Sequence, residues 1–474
     1  MTVTPFDTVA AVSTPYGKGG VAVIRLSGEE ALRVAERVFF PLSGHALTAC
    51  KSRTAVYGLV RDPEDGRVLD DALCTLFRAP HSFTGEDTAE IACHGGVLVT
   101  RNVLEACLRA GARQALPGEF TRRAYLNGKL DLERAEALGN LLDAGNDEQV
   151  RLARAGMNGL LTASADRIYA ELMAVLASME AGMDFPEEDL TEMPLGEIRE
   201  AIERASRDIR GLVETYRTGR AIAEGIPTVI CGRPNVGKSA FYNRLVGREA
   251  AIVTSIAGTT RDVLTDTVSL GRVTLRLSDT AGLRESDDPV EMIGVERARQ
   301  AMDEAELVLV LSEAAEADPE ADELTATLAA QGKTVVRVYT KQDIVADTAA
   351  VPAAGTANVP QFPLTDREGI PTVCISSVTG EGFEALRDAV EQVFIDRDLR
   401  MGEEAVVFSA RQAAALRETL ACLRTAAENL DAGLPYDICA DDVRAAMSEL
   451  GTLCGREMGE DVITEIFARF CVGK

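Results

Sequence analysis

PTVICGRPNVGKSAFYNRLVG, residues 227–247, is the stretch on which the fold turns. It runs from an apolar strand through a glycine-punctuated loop, GRPNVGKS at 232–239, into a helix. Gly232 and Gly237 let the backbone turn its N–H groups inward, Lys238 can reach the outer phosphates of a nucleotide, and Ser239 can ligate Mg²⁺. Asn235, Val236 and Ala240 share that turn and are counted among its nucleotide contacts. Downstream, the strand-like runs VTLRLSD (273–279), ELVLVLSE (306–313), TVVRVYT (334–340) and TVCISS (372–377) alternate with helical sequence. That alternation predicts a doubly wound, mostly parallel sheet carrying a P-loop.

Three further elements fall where such a sheet would place them. Asp279, Thr280, Ala281 and Gly282 end a strand, where an acidic group can hold Mg²⁺ through water and a glycine amide can sense a γ-phosphate. Thr340, Lys341, Gln342 and Asp343 end another. The carboxylate of Asp343 can accept from the N1 and N2 donors of guanine, whereas adenine would leave it buried and unpaired, so the expected nucleotide is GTP. Thr340 stands where Asn is usual. Ser376 and Ser377, after the last strand, are expected to close over the base with backbone amides. Between the first two elements, AIVTSIAGTTRD at 251–262 reads as a switch, with Thr260 completing the Mg²⁺ shell and Thr254, Ser255, Ile256, Ala257, Gly258 and Thr259 lining the nucleotide.

Hydrolysis poses its own problem. After Gly282 comes Leu283, whose apolar side chain cannot orient water. The acidic cluster Glu285, Asp287, Asp288 and Glu291 offers alternatives. A bound cation could offset transition-state charge, with Asn235 and the carbonyls of 254–259 as oxygen ligands.

Length and composition bound the rest. The 474 residues imply about three domains, and 75 acidic against 49 basic residues give a formal charge of −26, which repels polyanions at long range. No apolar run approaches the roughly 18 residues of a bilayer span, and the opening MTVTPFDTVAAVSTPYG lacks a signal-peptide core, so a soluble, cytoplasmic protein with no membrane association is expected. Ten scattered cysteines without CxxC pairs and three histidines argue against disulfides and structural zinc. Cys93, Cys231 and Cys374 lie in apolar runs as small buried hydrophobes, while Cys471 stays open.

Residues 1–127 mix strand-like and helical runs as an α+β domain, and 128–218 carry helical periodicity. Residues 219–397 hold the α/β unit, and helical periodicity resumes over 398–474. An α/β unit between two helical stretches is most simply an insertion into a discontinuous helical domain. The stretch 344–370, rich in Ala, Pro and Thr, is long for a connection inside it.

GRPNVGKS, IVTSIAGTTRD, DTAGLRE and the terminal FCVGK, with GGVAVIRLSG, SFTGED, HGG and PGEFTRRAYLNGKLDLERAEAL, closely resemble the MnmE (TrmE) family of tRNA-modification GTPases. The resemblance spans the chain and includes motifs a generic GTPase does not need. It implies an enzyme that works with the flavoprotein MnmG, as a heterotetramer built on a homodimer. Together they install the carboxymethylaminomethyl group at C5 of the wobble uridine of tRNA, drawing a one-carbon unit from a reduced folate (5,10-methylene- or 5-formyl-tetrahydrofolate). It implies a folate-binding and dimerising N-terminal domain, and G domains that meet across their nucleotides when K⁺ is bound. K⁺ would sit on Asn235, Thr254, Ile256 and Thr259, and Mg²⁺ on Ser239 and Thr260. Glu291 would orient the attacking water, with Lys238 the other catalytic residue. Folate would contact Arg25, Glu90, Lys129 and Lys474. Two readings compete: a ribosome-assembly switch GTPase, for which neither a basic run nor a GXXG loop in a KH-like context is found, and a regulator that merely binds folate and GTP.

Overall fold

The computed structural model describes residues 7–184, 193–249, 265–278, 301–314, 317–343, 369–396 and 398–455, together with 463, 466–468, 470, 472 and 473. They fall into two compact units, residues 1–139 with 448–474, and residues 140–447.

In the first unit the strands are β1 (Val9–Val12), β2 (Val21–Ser27), β3 (Phe39–Pro41), β4 (Ala55–Arg61), β5 (Val68–Phe77), β6 (Thr88–His94) and β7 (Arg113–Gln114). They form one sheet in the order β3-β4-β5-β6-β2-β1-β7, antiparallel except for β1 with β7. Side chains alternate between its faces. Ala22, Ile24 and Leu26 of β2 join Ile91 and Cys93 of β6 in a core with the helices Ala31–Val38 and Val97–Arg109. Arg25 and Ser27 therefore point to the opposite face, where Val9, Ala11 and Ala115 pack on Phe120 of the helix Glu119–Leu126. Chain-distant residues complete this unit. Ile463, Phe467 and Phe470 pack against Tyr125 and Ala135, and Val472 bridges to Pro117. Gly473, at φ 99°, runs so close to β1 that a Cβ there would meet the Val12 carbonyl oxygen at 2.1 Å.

The second sheet has the order β13-β12-β11-β8-β10-β9, from β8 (Ile226–Gly232), β9 (Thr265–Leu270), β10 (Val273–Ser278), β11 (Leu307–Glu313), β12 (Thr334–Thr340) and β13 (Thr372–Cys374). All pairs are parallel except β9 with β10. The edge strand β9 was not expected from the sequence. Only Val268 and Leu270 of TDTVSL are apolar and buried, so its alternation is too polar to stand out from a loop.

The helices Leu195–Glu214 and Ala410–Asp431 lie on either side of this sheet in sequence and pack together, with Arg199 paired to Asp431. Where the chain passes into and out of the sheet the two crossings are stapled. Thr218 Oγ1 donates to Phe394 O (3.1 Å) and accepts from Asp396 N (2.9 Å), and Thr215 Oγ1 accepts from Val407 N (2.9 Å). The helix Asp147–Met157 meets the hairpin of β10: Asn146 Nδ2 donates to Thr274 Oγ1 (3.1 Å), and Glu148 pairs with Arg272 (3.2 Å).

Candidate functional site

The strand order reverses at β8, with β10 on one side and β11 on the other, and the loop after β8 opens at that switch point. Gly232 (φ 148°) is needed there because a Cβ would lie 2.4 Å from the Leu311 carbonyl oxygen. Asn235 and Gly237 also take positive φ (68° and 93°), which turns the intervening amides to one side, and the helix Lys238–Glu249 follows. Lys238 Nζ donates to the carbonyls of Gly232 (2.8 Å) and Arg233 (2.7 Å), so the ammonium arches over the loop. Burial pushes it below the ordinary lysine range. Arg233 is anchored away from the loop on Asp318 and Glu320, each at 3.1 Å.

The third element meets the first directly. Thr340 is buried, and its Oγ1 lies 2.6 Å from Val236 O and 3.2 Å from Ser312 O. Its single proton links the end of β12 to the phosphate loop. Lys341, at φ 61°, pairs with Glu313 at the end of β11. Gln342 N donates to Ile375 O (3.2 Å), which ties the segment carrying Asp343 to the segment carrying Ser376 and Ser377. The amide of Ser376 donates to Glu381 O (3.0 Å) within its own turn, where the chain bends to start the helix Phe383–Phe394. Phe383 stacks on Phe241 of the phosphate-loop helix, with ring centroids 5.6 Å apart. Thr254, Ser255, Ile256, Ala257, Gly258, Thr259, Thr260, Asp279, Thr280, Ala281, Gly282 and Glu291 lie outside the described residues, as do Cys471 and Lys474. Cys231, Cys374 and Cys93 each have thiols pushed up to about 11 by burial, the behaviour of packed, inert side chains.

In the first unit, Arg25 and Glu90 are register neighbours on β2 and β6, and Arg25 Nε donates to Glu90 Oε1 (2.9 Å). The Arg25 guanidinium carbon lies 5.6 Å from the Phe120 ring centroid and 5.7 Å from that of Phe83. Lys129 meets the other end of the same loop: Nζ donates to Pro80 O (3.0 Å), and its Cγ occupies the space beside Gly85. Arg25 and Lys129 thus both meet the loop of residues 80–87, and Glu90 joins them through Arg25.

What holds that loop was missed in the sequence. Arg123 Nη1 contacts both carboxylate oxygens of Glu86 (3.1 and 3.2 Å), and Nη2 donates to Asp7 Oδ1 (2.7 Å) and Glu119 Oε1 (2.9 Å). Arg113 bridges Asp7 and Glu119 again, each at 2.7 Å. Burial alone would raise the carboxyls of Asp7 and Glu119, but hydrogen bonds and charge from the two guanidinium groups outweigh it and hold both below the ordinary carboxylate range. The only signal available was the density of charge within SFTGED and GEFTRRA, which reads equally well as solvated surface.

No helix among the described residues is long and apolar enough to cross a membrane. Two family models match: the GTP-binding protein TrmE N-terminus over residues 8–129 and the MnmE helical domain over residues 132–471. Relatives described as tRNA modification GTPase MnmE include one from Symbiobacterium thermophilum, 44% identical over 99% of both chains, and one from Acetivibrio thermocellus, 37% identical over 99% of both. Among solved structures, Aquifex aeolicus Era aligns with 41% of this chain and 65% of its own at 24% identity, with a TM-score of only 0.26. From matches that run the length of the sequence, the chain belongs to the MnmE family of tRNA modification GTPases.

Proposed function

We propose that this chain is a K⁺-dependent GTPase that, with a flavoprotein partner (MnmG in the family), installs the carboxymethylaminomethyl group at C5 of the wobble uridine of tRNA. The observation that carries the reading is the phosphate loop at the switch point of β8, in a chain whose relatives named tRNA modification GTPase match it end to end. Its inward-turned amides and the arched Lys238 suit a polyphosphate. Ser239, in the first helical turn, and Thr260 would hold Mg²⁺, with Asp279 and Gly282 facing the γ-phosphate. Asp343 would select guanine, Lys341 would flank it, and the segment of Ser376 and Ser377 would close over the base. Asn235, Thr254, Ile256 and Thr259 would hold K⁺, which when bound supplies positive charge beside the phosphates. Glu291 would orient water in place of Leu283.

In the first unit, Arg25, Glu90, Lys129 and Lys474 would take a reduced folate, whose role is to supply the one-carbon unit. The pair fits such a ligand: among the described residues only Nε of Arg25 and Oε1 of Glu90 are engaged, leaving two amino groups and a carboxylate oxygen for a heterocycle with adjacent acceptor and donor groups. That unit would also mediate homodimerisation.

GTP turnover measured in K⁺ and in Na⁺ tests the first part, with a higher rate expected in K⁺ and slow turnover in Glu291→Ala at retained nucleotide affinity. Equal rates in the two salts would remove the cation from the mechanism. Titration with 5-formyl-tetrahydrofolate tests the second, with saturable binding that Arg25→Ala weakens by roughly tenfold or more.

A further inference from the structure

Two phenylalanines flank the guanidinium of Arg25, and they differ in kind. Phe120 is fully buried and belongs to the core with Val9, Ala11 and Ala115. Phe83 is 37% exposed on the loop of residues 80–87. We infer that Phe83 is the surface on which the planar ring of this site's ligand rests, an inference that builds on the folate reading above.

Three observations carry it. First, the residues on either side of Phe83 are fixed. Ser82 Oγ donates to Glu86 O (2.5 Å), Thr84 is fully buried with its Oγ1 2.7 Å from Ser27 Oγ, and Thr84 O accepts from Asn127 Nδ2 (2.8 Å). Glu86 accepts from Ser27 Oγ (2.7 Å) and is gripped by Arg123. A loop tip is ordinarily a mobile place for an aromatic ring. Here buried charge holds it, so the ring is presented in advance of any ligand and little ordering is left to oppose binding.

Second, Phe83 lies against the residue that would hydrogen-bond the ligand, since the Arg25 guanidinium carbon is 5.7 Å from its centroid. Third, the open hydrogen-bonding atoms of the Arg25–Glu90 pair call for a ligand edge that offers a carbonyl beside an N–H. The pyrimidinone ring of a reduced pterin has such an edge and a flat π-face, so its edge can meet the ion pair while its face meets Phe83.

The test is calorimetric titration of the full-length protein with 5-formyl-tetrahydrofolate, using wild type, Phe83→Ala, Phe83→Leu and Phe83→Tyr. Loss of the ring in Phe83→Ala and Phe83→Leu is expected to raise Kd by about tenfold, while Phe83→Tyr stays within about threefold of wild type. Thermal unfolding of Phe83→Ala should match wild type, because the ring is part exposed. Wild-type affinity in Phe83→Ala overturns the inference and leaves the folate reading standing. Wild-type affinity in Phe83→Leu overturns it too, by reducing the ring to bulk. A wild-type protein that gives no heat of binding overturns the folate reading itself, so the two failures are told apart.

Discussion

The phosphate loop and the proposed Arg25–Glu90 site would recognise charge by opposite means. At the phosphate loop the donors are main-chain amides, set by positive φ at Asn235 and Gly237 within one contiguous run of sequence. At the second site the donors and acceptors are side chains on two strands, buttressed by Asp7, Glu86, Arg113, Glu119 and Arg123 from four separate segments. Backbone recognition tolerates side-chain change but not a change of glycine spacing. Side-chain recognition tolerates neither the loss of a partner nor the loss of its charge, because each buried group answers to the others.

This contrast can be broken, starting with the largest effect. Lys238→Ala removes the cation that arches over the phosphate loop and should lower GTP turnover by about a thousandfold, with reduced-folate binding kept; a parallel loss at both sites would mean that they are not separate. Arg123→Gln should destabilise the first unit by about 3 kcal/mol in denaturant unfolding, because Glu86 then loses its guanidinium partner while Asp7 and Glu119 are left to share Arg113. An unfolding transition of the second unit that moves with it would contradict the contrast. Thr340→Val leaves the carbonyls of Val236 and Ser312 without their buried donor, at about 1 kcal/mol, and should weaken GTP binding by roughly fivefold at unchanged turnover under saturation.

The smallest effect concerns pH. Asp7 and Glu119 have folded pKa values below their unfolded ones, so their contribution is complete above about pH 4.5 and is lost as pH falls through the depressed values. The thermal midpoint of the first unit should therefore fall on acidification below about pH 4, and less so in Arg123→Gln, where the shift is reduced.

The same contrast explains what the sequence could disclose. GRPNVGKS announces a phosphate loop because a main-chain cradle demands glycines at set spacing, and the flanking strands PTVIC, VLVL and VVRVY are too apolar to be anything but the centre of a covered sheet. The strand β9 escaped because an edge strand with one buried face needs only Val268 and Leu270 to be apolar. The Arg123 network escaped for a different reason. Its members stand at 7, 86, 113, 119 and 123, and nothing in a linear pattern says that these charges meet. Arg25, Glu90 and Lys129 were reached only through family resemblance. Period-two alternation along VAVIRLS does put Arg25 opposite the apolar face, but it does not say that Glu90 is its neighbour.

Ile463, Phe467 and Phe470 pack on Tyr125 and Ala135 of the first unit, Val472 is bridged to Pro117, and Gly473 lies against Val12 of β1. On the ribosome the whole of 140–447 is made between those two parts. The middle unit can therefore reach its folded state while the first still lacks its closing piece, and that first unit is sealed only once residues beyond 447 have been made. A nascent chain stalled soon after residue 447 would carry a finished nucleotide sheet while its first unit was still unsealed.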